Sequence, residues 1–105
     1  MKAINHQKNN YTYDGSNSGS VMNGTLYMSK KEWNRVVKYL GGQYKKAVKN
    51  SDTYIRDGLG HALSWNIPKH SGEKSFCIGV TATELIFKHY NLPRYKRQNY
   101  QIIIK

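Results

Sequence analysis

Carboxylates are scarce in this sequence. Asp and Glu number six against 17 Lys and Arg, so the formal charge is +11 over 105 residues. Two of the six, Glu32 and Glu84, fall at helix-capping positions, and Asp14, Asp52, Asp57 and Glu73 form no recognisable ligand group. A two-metal nuclease is therefore not expected. The single cysteine, Cys77, excludes an internal disulfide and any multi-cysteine zinc site. It lies in the apolar stretch Phe76-Cys77-Ile78-Gly79-Val80, which points to a buried, inert thiol and fits a cytoplasmic setting. Neither GxxxxGK[ST] nor GxGxxG occurs, so nothing argues for a nucleotide-driven motor or a dehydrogenase. No cofactor and no metal is expected.

Large apolar residues other than Tyr and Trp are also few. Leu, Ile, Val and Phe total 21, or 20% of the chain, which with this charge borders on the composition of disordered segments. Nine Tyr and two Trp offset that deficit, because aromatic rings bury large areas each. No apolar run approaches the ~18 residues that a membrane-spanning helix needs, so no membrane partner is expected. The start, MKAINHQKNNYTYD, has no apolar core of a secretory signal. The length fits one domain over residues 1–105, with residues 1–24 as a polar leader or part of an N-terminal hairpin.

The charge is carried by 13 Lys and only four Arg. Lys is a hydrated point charge and Arg a planar bidentate donor, so this balance suits phosphate contact more than base reading. The partner class that fits is nucleic acid, RNA or single strands ahead of duplex DNA. An acidic protein surface satisfies the same charge, as for an inhibitor or adaptor of the kind phages and mobile elements encode.

Along the chain, Tyr11-Thr12-Tyr13 suits a short strand and Asp14 to Gly19 a loop. Asn23-Gly24 between Val21-Met22 and Thr25 to Met28 is a hairpin turn signal. Ser29-Lys30-Lys31-Glu32 is a capping box opening a helix. Its apolar face holds Trp33, Val36, Val37, Leu40, Tyr44 and Val48. At ~100° per residue, Lys31, Arg35, Lys38, Lys45, Lys46 and Lys49 fall on the opposite side. Gly41-Gly42 either ends this helix or lies within it, and the unbroken apolar phase favours one helix. Asn50 to Gly60 suits a loop, with a turn at Asp57-Gly58. His61 to Ile67 alternates and suits a strand ended by Pro68, paired in a hairpin with a second strand at 75–80. Thr81-Ala82-Thr83-Glu84 is a second capping box, opening a helix that Asn91-Leu92-Pro93 stops. Tyr100 to Ile104 is the last strand. The fold class is α+β: a small, mostly antiparallel sheet, with one long amphipathic basic helix and one short helix packed on one face.

Three constellations can carry function. The cationic helix face lacks the acids that normally pair with Lys at i,i+4, and such a face suits a phosphate backbone. The segment Lys88, Arg94, Tyr95, Lys96 and Arg97, with Tyr90 and Tyr100 nearby, interleaves rings with cations as single-strand binding requires. His61, His70 and Lys74 can supply the base, acid and phosphate-neutralising cation of a metal-independent endoribonuclease of toxin type. A helix-turn-helix over Thr81 to Gln98 is the lesser reading, because its second helix would be very short. Ile78-Gly79 followed by Ala82-Thr83-Glu84-Leu85 is similar to the central segment of viral ring nucleases, which degrade cyclic oligoadenylate. The likeness spans about a quarter of the chain. Val80 stands where that family has a histidine, so no site residue carries over.

Overall fold

The structure, a computed structural model, describes residues 1–5, 24–93 and 100–105. Among the described residues four strands form one sheet: β1 (Lys2–Asn5), β2 (Gly24–Met28), β3 (Ser75–Phe76) and β4 (Gln101–Ile104). Their order is β1-β2-β4-β3. β1 pairs antiparallel with β2, and β3 antiparallel with β4, while β2 and β4 run parallel. The helices are α1 (Lys30–Lys49), α2 (Thr53–His61), α3 (Ile67–Lys69) and α4 (Val80–His89), with a π-wound stretch, Ala62–Asn66, joining α2 to α3. The fold is the expected α+β arrangement with a mostly antiparallel sheet.

One core joins sheet and helices. Leu26, Met28, Phe76 and Ile102 from the strands meet Val36 and Leu40 of α1, Leu59 and Ala62 of the second helical run, and Ala82, Ile86 and Phe87 of α4. Alternation along β2 puts Leu26 and Met28 on the core face, while half-buried Tyr27 lies beneath the Lys105 ammonium, 4.7 Å from its ring centre.

The start of α1 is locally encoded. The Ser29 hydroxyl accepts from the Glu32 N–H at 3.1 Å, and Glu32 Oε1 accepts from the Ser29 N–H at 2.9 Å. Glu32 Oε2 also accepts from the Met1 ammonium at 2.7 Å. The ammonium, with the Ser29 N–H, holds the Glu32 carboxyl below the usual glutamate range. The helix then runs unbroken through Gly41 and Gly42. A Cβ at either glycine would meet nothing within 4 Å. Gly42→Ala should therefore stabilise the protein by about 1 kcal/mol through helix propensity alone. Urea denaturation would read this as a raised midpoint with unchanged slope.

Several local expectations are corrected. Residues 61–67 are helical, not a strand, and the supposed loop before them contains α2. Asp52 caps α2, its carboxylate accepting from the Ile55 N–H at 3.2 Å. Backbone angles stay right-handed helical through His61, Ala62, Asn66 and Ile67, so one helical run extends from Thr53 to Lys69. The buried positions Leu59 and Ala62 are three apart, a helical spacing that the Leu63, Trp65, Ile67 alternation obscured. The widened π-turn ends at Asn66, two residues before Pro68, whose missing N–H breaks the regular ladder. Asp57-Gly58 is no turn: a Cβ at Gly58 would come within 2.5–2.7 Å of the Thr81 side chain, so the glycine lets α2 approach α4.

The expected hairpin of 61–67 with 75–80 is absent, and β3 has only two residues. It pairs with β4 instead. The second capping box is also absent. Gly79, at φ 96°, is the cap of α4, and the buried Thr83 hydroxyl donates to the Gly79 carbonyl at 2.6 Å. Gly24 lies within β2 opposite Asn5, so the antiparallel partner of this strand is Lys2–Asn5. Residues 11–13, 14–19 and 21–22, assigned above to strands and loop, lie outside the described residues.

Candidate nucleic-acid interface

Helix α1 is tied down along one side. Val36, Leu40 and Ala47 are buried, and Trp33 and Tyr44 pack against the core from its edge. Trp33 meets Phe76 edge-on, with ring centres 5.0 Å apart. Tyr39 stacks on His89 at 3.9 Å, and burial, with Tyr90 nearby, pushes its phenol pKa up. Val48, expected on the apolar face, is 49% exposed. The chain reverses at Ser51, at φ 57°, and the Asp52 N–H closes onto the Ala47 carbonyl at 2.9 Å. That turn directs α2 to the Ala47 side and leaves Val48 in solvent.

The buried side orients the opposite one. Lys31, Arg35, Lys38, Lys45, Lys46 and Lys49 are all exposed. The ion pairs among the described residues are Met1–Glu32, Arg56–Asp57 and His70–Glu73, and none of them uses these six. From Lys31 to Lys49 the helix rises about 27 Å. One strand of B-form DNA presents a phosphate about every 3.4 Å of axis, so the stripe is long enough to follow several. Like charges at i,i+4, as in Lys31/Arg35 and Lys45/Lys49, weaken the isolated helix. Lys46 and Lys49 recover part of that loss by sitting in the last turn, at the negative end of the helix dipole. Lys31, in the first turn, has no such compensation.

The second constellation is only partly in view. Arg94, Tyr95, Lys96 and Arg97 lie outside the described residues. Lys88 is exposed in the last turn of α4 and rims a hollow with Ile55, Glu84 and Leu85. An adjoining hollow shares Ile55 and Leu85 and includes Lys46, so Lys46 and Lys88 flank neighbouring depressions. Tyr100, considered above as a ring among cations, is fully buried and packs on Phe87 at 4.5 Å, which removes it from any surface role.

The histidines separate. His70 caps the end of α3, with Nδ1 3.0 Å from Glu73 Oε2 and its ring stacked on Phe76 at 5.7 Å. It shares a pocket with Lys74. His61 is exposed at the end of α2 and does not line that pocket. Nine residues of helical run carry it about 13 Å away along the axis. The structure thus brings His70 and Lys74 together without His61. Cys77 is half-buried, and burial pushes its thiol pKa up, away from a nucleophilic thiolate. Among the described residues no three His, Cys, Asp or Glu side chains gather to hold a metal ion, and no helix is long and apolar enough to cross a membrane.

The pocket itself was not visible in the sequence. Trp33 reads there as core only, Lys30 as part of a capping box, and Asn34 carries no motif. Comparison with protein-family models, curated proteins and solved structures finds no match for this chain.

Proposed function

We propose that this chain is a small nucleic-acid-binding protein that grips phosphates through the exposed side of α1, with RNA or single strands preferred over duplex DNA. The observation that carries the reading is the α1 stripe: six exposed cations along one helix, none ion-paired to a described carboxylate. A stripe of this kind favours an extended polyanion over a compact anion, because its charges act in register along a line. The preference for single strands rests on the Lys-rich balance and on exposed rings. Trp65 is 55% and Tyr54 52% exposed, and the Lys69 ammonium lies 5.5 Å from the Trp65 ring centre. An exposed ring beside a cation, as at Trp65, suits an unstacked base.

The test is fluorescence anisotropy with labelled single-stranded RNA and with duplex DNA of equal length, titrated against salt. Six phosphate contacts to a single strand predict a log–log slope near about −4. No affinity at ~50 mM salt for either nucleic acid would overturn the reading and leave the acidic-protein partner as the better account. A metal-independent ribonuclease is the second reading, favoured by His70 and Lys74 sharing one pocket. Cleavage of the same RNA in EDTA, lost in His70→Ala, would establish it.

A further inference from the structure

The pocket beside the start of α1 has a composition of its own. It encloses about 330 Å³, within the range of small-molecule sites. Its walls come from three separate parts of the chain: Lys30, Trp33 and Asn34 of α1, the 70–74 connection, and the end of β4. The connection is anchored there, because the Ile104 N–H donates to the Lys74 carbonyl at 2.9 Å and the Lys105 N–H to the Met28 carbonyl at 3.0 Å. Phe76 forms a buried floor. The half-buried rings of Trp33 and His70 stand against it.

The charges on this pocket are unequal. Lys30 and Lys74 line it, and neither is ion-paired to a described carboxylate, while Lys105 also lines it with its ammonium over the Tyr27 ring. The lining carboxylate side chain, Glu73, is engaged with His70. Flat aromatic walls with a cationic rim match a ligand that is itself a flat ring joined to an anion. We propose that this pocket binds one nucleotide unit, with the base against Trp33, His70 and Phe76 and the phosphate met by Lys30 and Lys74. An aliphatic anion would leave the aromatic walls unused, and an uncharged ring would leave Lys30 and Lys74 without a counter-charge.

The unit has two sources: a free nucleoside monophosphate, or one unstacked nucleotide of a strand lying on α1. The second source rests on the α1 reading proposed above, since Lys30 and Asn34 belong to the same helix as the stripe. Single-strand binders commonly splay bases onto rings in this way.

Trp33 is one of two tryptophans, and the other, Trp65, is exposed outside the pocket. In a Trp65→Phe background, Trp33 emission reports the pocket alone. Titration with AMP, UMP, inorganic phosphate and a short 5′-phosphorylated oligonucleotide, with anisotropy followed in parallel, separates the outcomes. The expected result is saturable quenching by the nucleotides, much weaker quenching by phosphate, and at least about a tenfold loss of nucleotide affinity in Lys74→Gln. That exposed side chain can be replaced without disturbing the core. Quenching by AMP with no oligonucleotide binding supports the pocket for free nucleotides and overturns the α1 reading alone. Salt-sensitive oligonucleotide binding with no Trp33 response to any nucleotide overturns the pocket and leaves the α1 reading intact. Equal quenching by phosphate and AMP overturns the base-binding part of the proposal.

Discussion

Replacing Lys38, Lys45 and Lys46 together with glutamine is expected to weaken single-stranded RNA binding roughly a hundredfold at ~0.1 M salt, and to flatten the salt dependence by about two units of log–log slope. The estimate follows from counterion release at about 0.7 per contact, three contacts removed and one decade below molar salt. Glutamine keeps the helix propensity of lysine while removing its charge. All three side chains are exposed, so the core is untouched. Stability should hold or rise slightly, because Lys45/Lys49 and Arg35/Lys38 are like-charged neighbours.

A matched control decides whether the stripe or merely the net charge matters. Lys2, Lys8 and Arg56 are not part of α1, and their replacement by glutamine also leaves 11 − 3 = +8. If α1 is the phosphate-binding face, this second triple loses far less affinity. Equal losses in both triples would show a diffuse cationic surface and defeat the proposal. The comparison is strong because long-range attraction depends on total charge, whereas the salt slope counts the phosphates neutralised at contact.

How far the sequence discloses this arrangement depends on whether each signal is local. The Ser29/Glu32 box is complete within four residues, and the structure contains it. The run through Gly41-Gly42 follows from apolar phase on both sides, again a local property. The same reasoning failed at residues 53–69. Gly58 and Gly60 resemble turn residues, yet Gly58 is small because Thr81 of α4 packs against it, and Gly60 because a Cβ there would stand 3.3 Å from the Tyr44 ring. Those reasons lie 23 and 16 residues away in sequence and have no local signature. The parallel pairing of β2 with β4 is equally non-local, linking Leu26 to Ile102. β1 was hidden because Lys2 to Asn5 is short and borders a polar stretch, and an edge strand draws half its order from its neighbour. For the candidate site, charge and helical phase revealed the α1 stripe. The nucleotide-sized pocket needed Trp33, Lys74 and Lys105 brought together from three distant parts of the chain.

Gly24→Ala should be strongly damaging, even though Gly42→Ala makes the same chemical change with the opposite sign. Gly24 is buried in β2, opposite Asn5 of β1. A Cβ there would overlap the ring of fully buried Tyr100 and stand 2.5 Å from the Ile4 carbonyl oxygen. Neither neighbour can yield cheaply. The carbonyl belongs to the paired strand, and the Tyr100 ring is held against Phe87 at the end of the chain segment entering β4. Relief therefore requires β1 to part from β2 or Tyr100 to leave the core. Overpacking of this kind costs about 1–3 kcal/mol and more where backbone must move. Against a total stability of about 5–15 kcal/mol, that is a drop of roughly 1–2 M in urea midpoint for a chain of this size. An unchanged midpoint would mean that Tyr100 does not pack over Gly24 as described. A raised one would put Gly24 outside the sheet altogether, and with it the β1–β2 register that brings the Met1 ammonium to Glu32 at the start of α1.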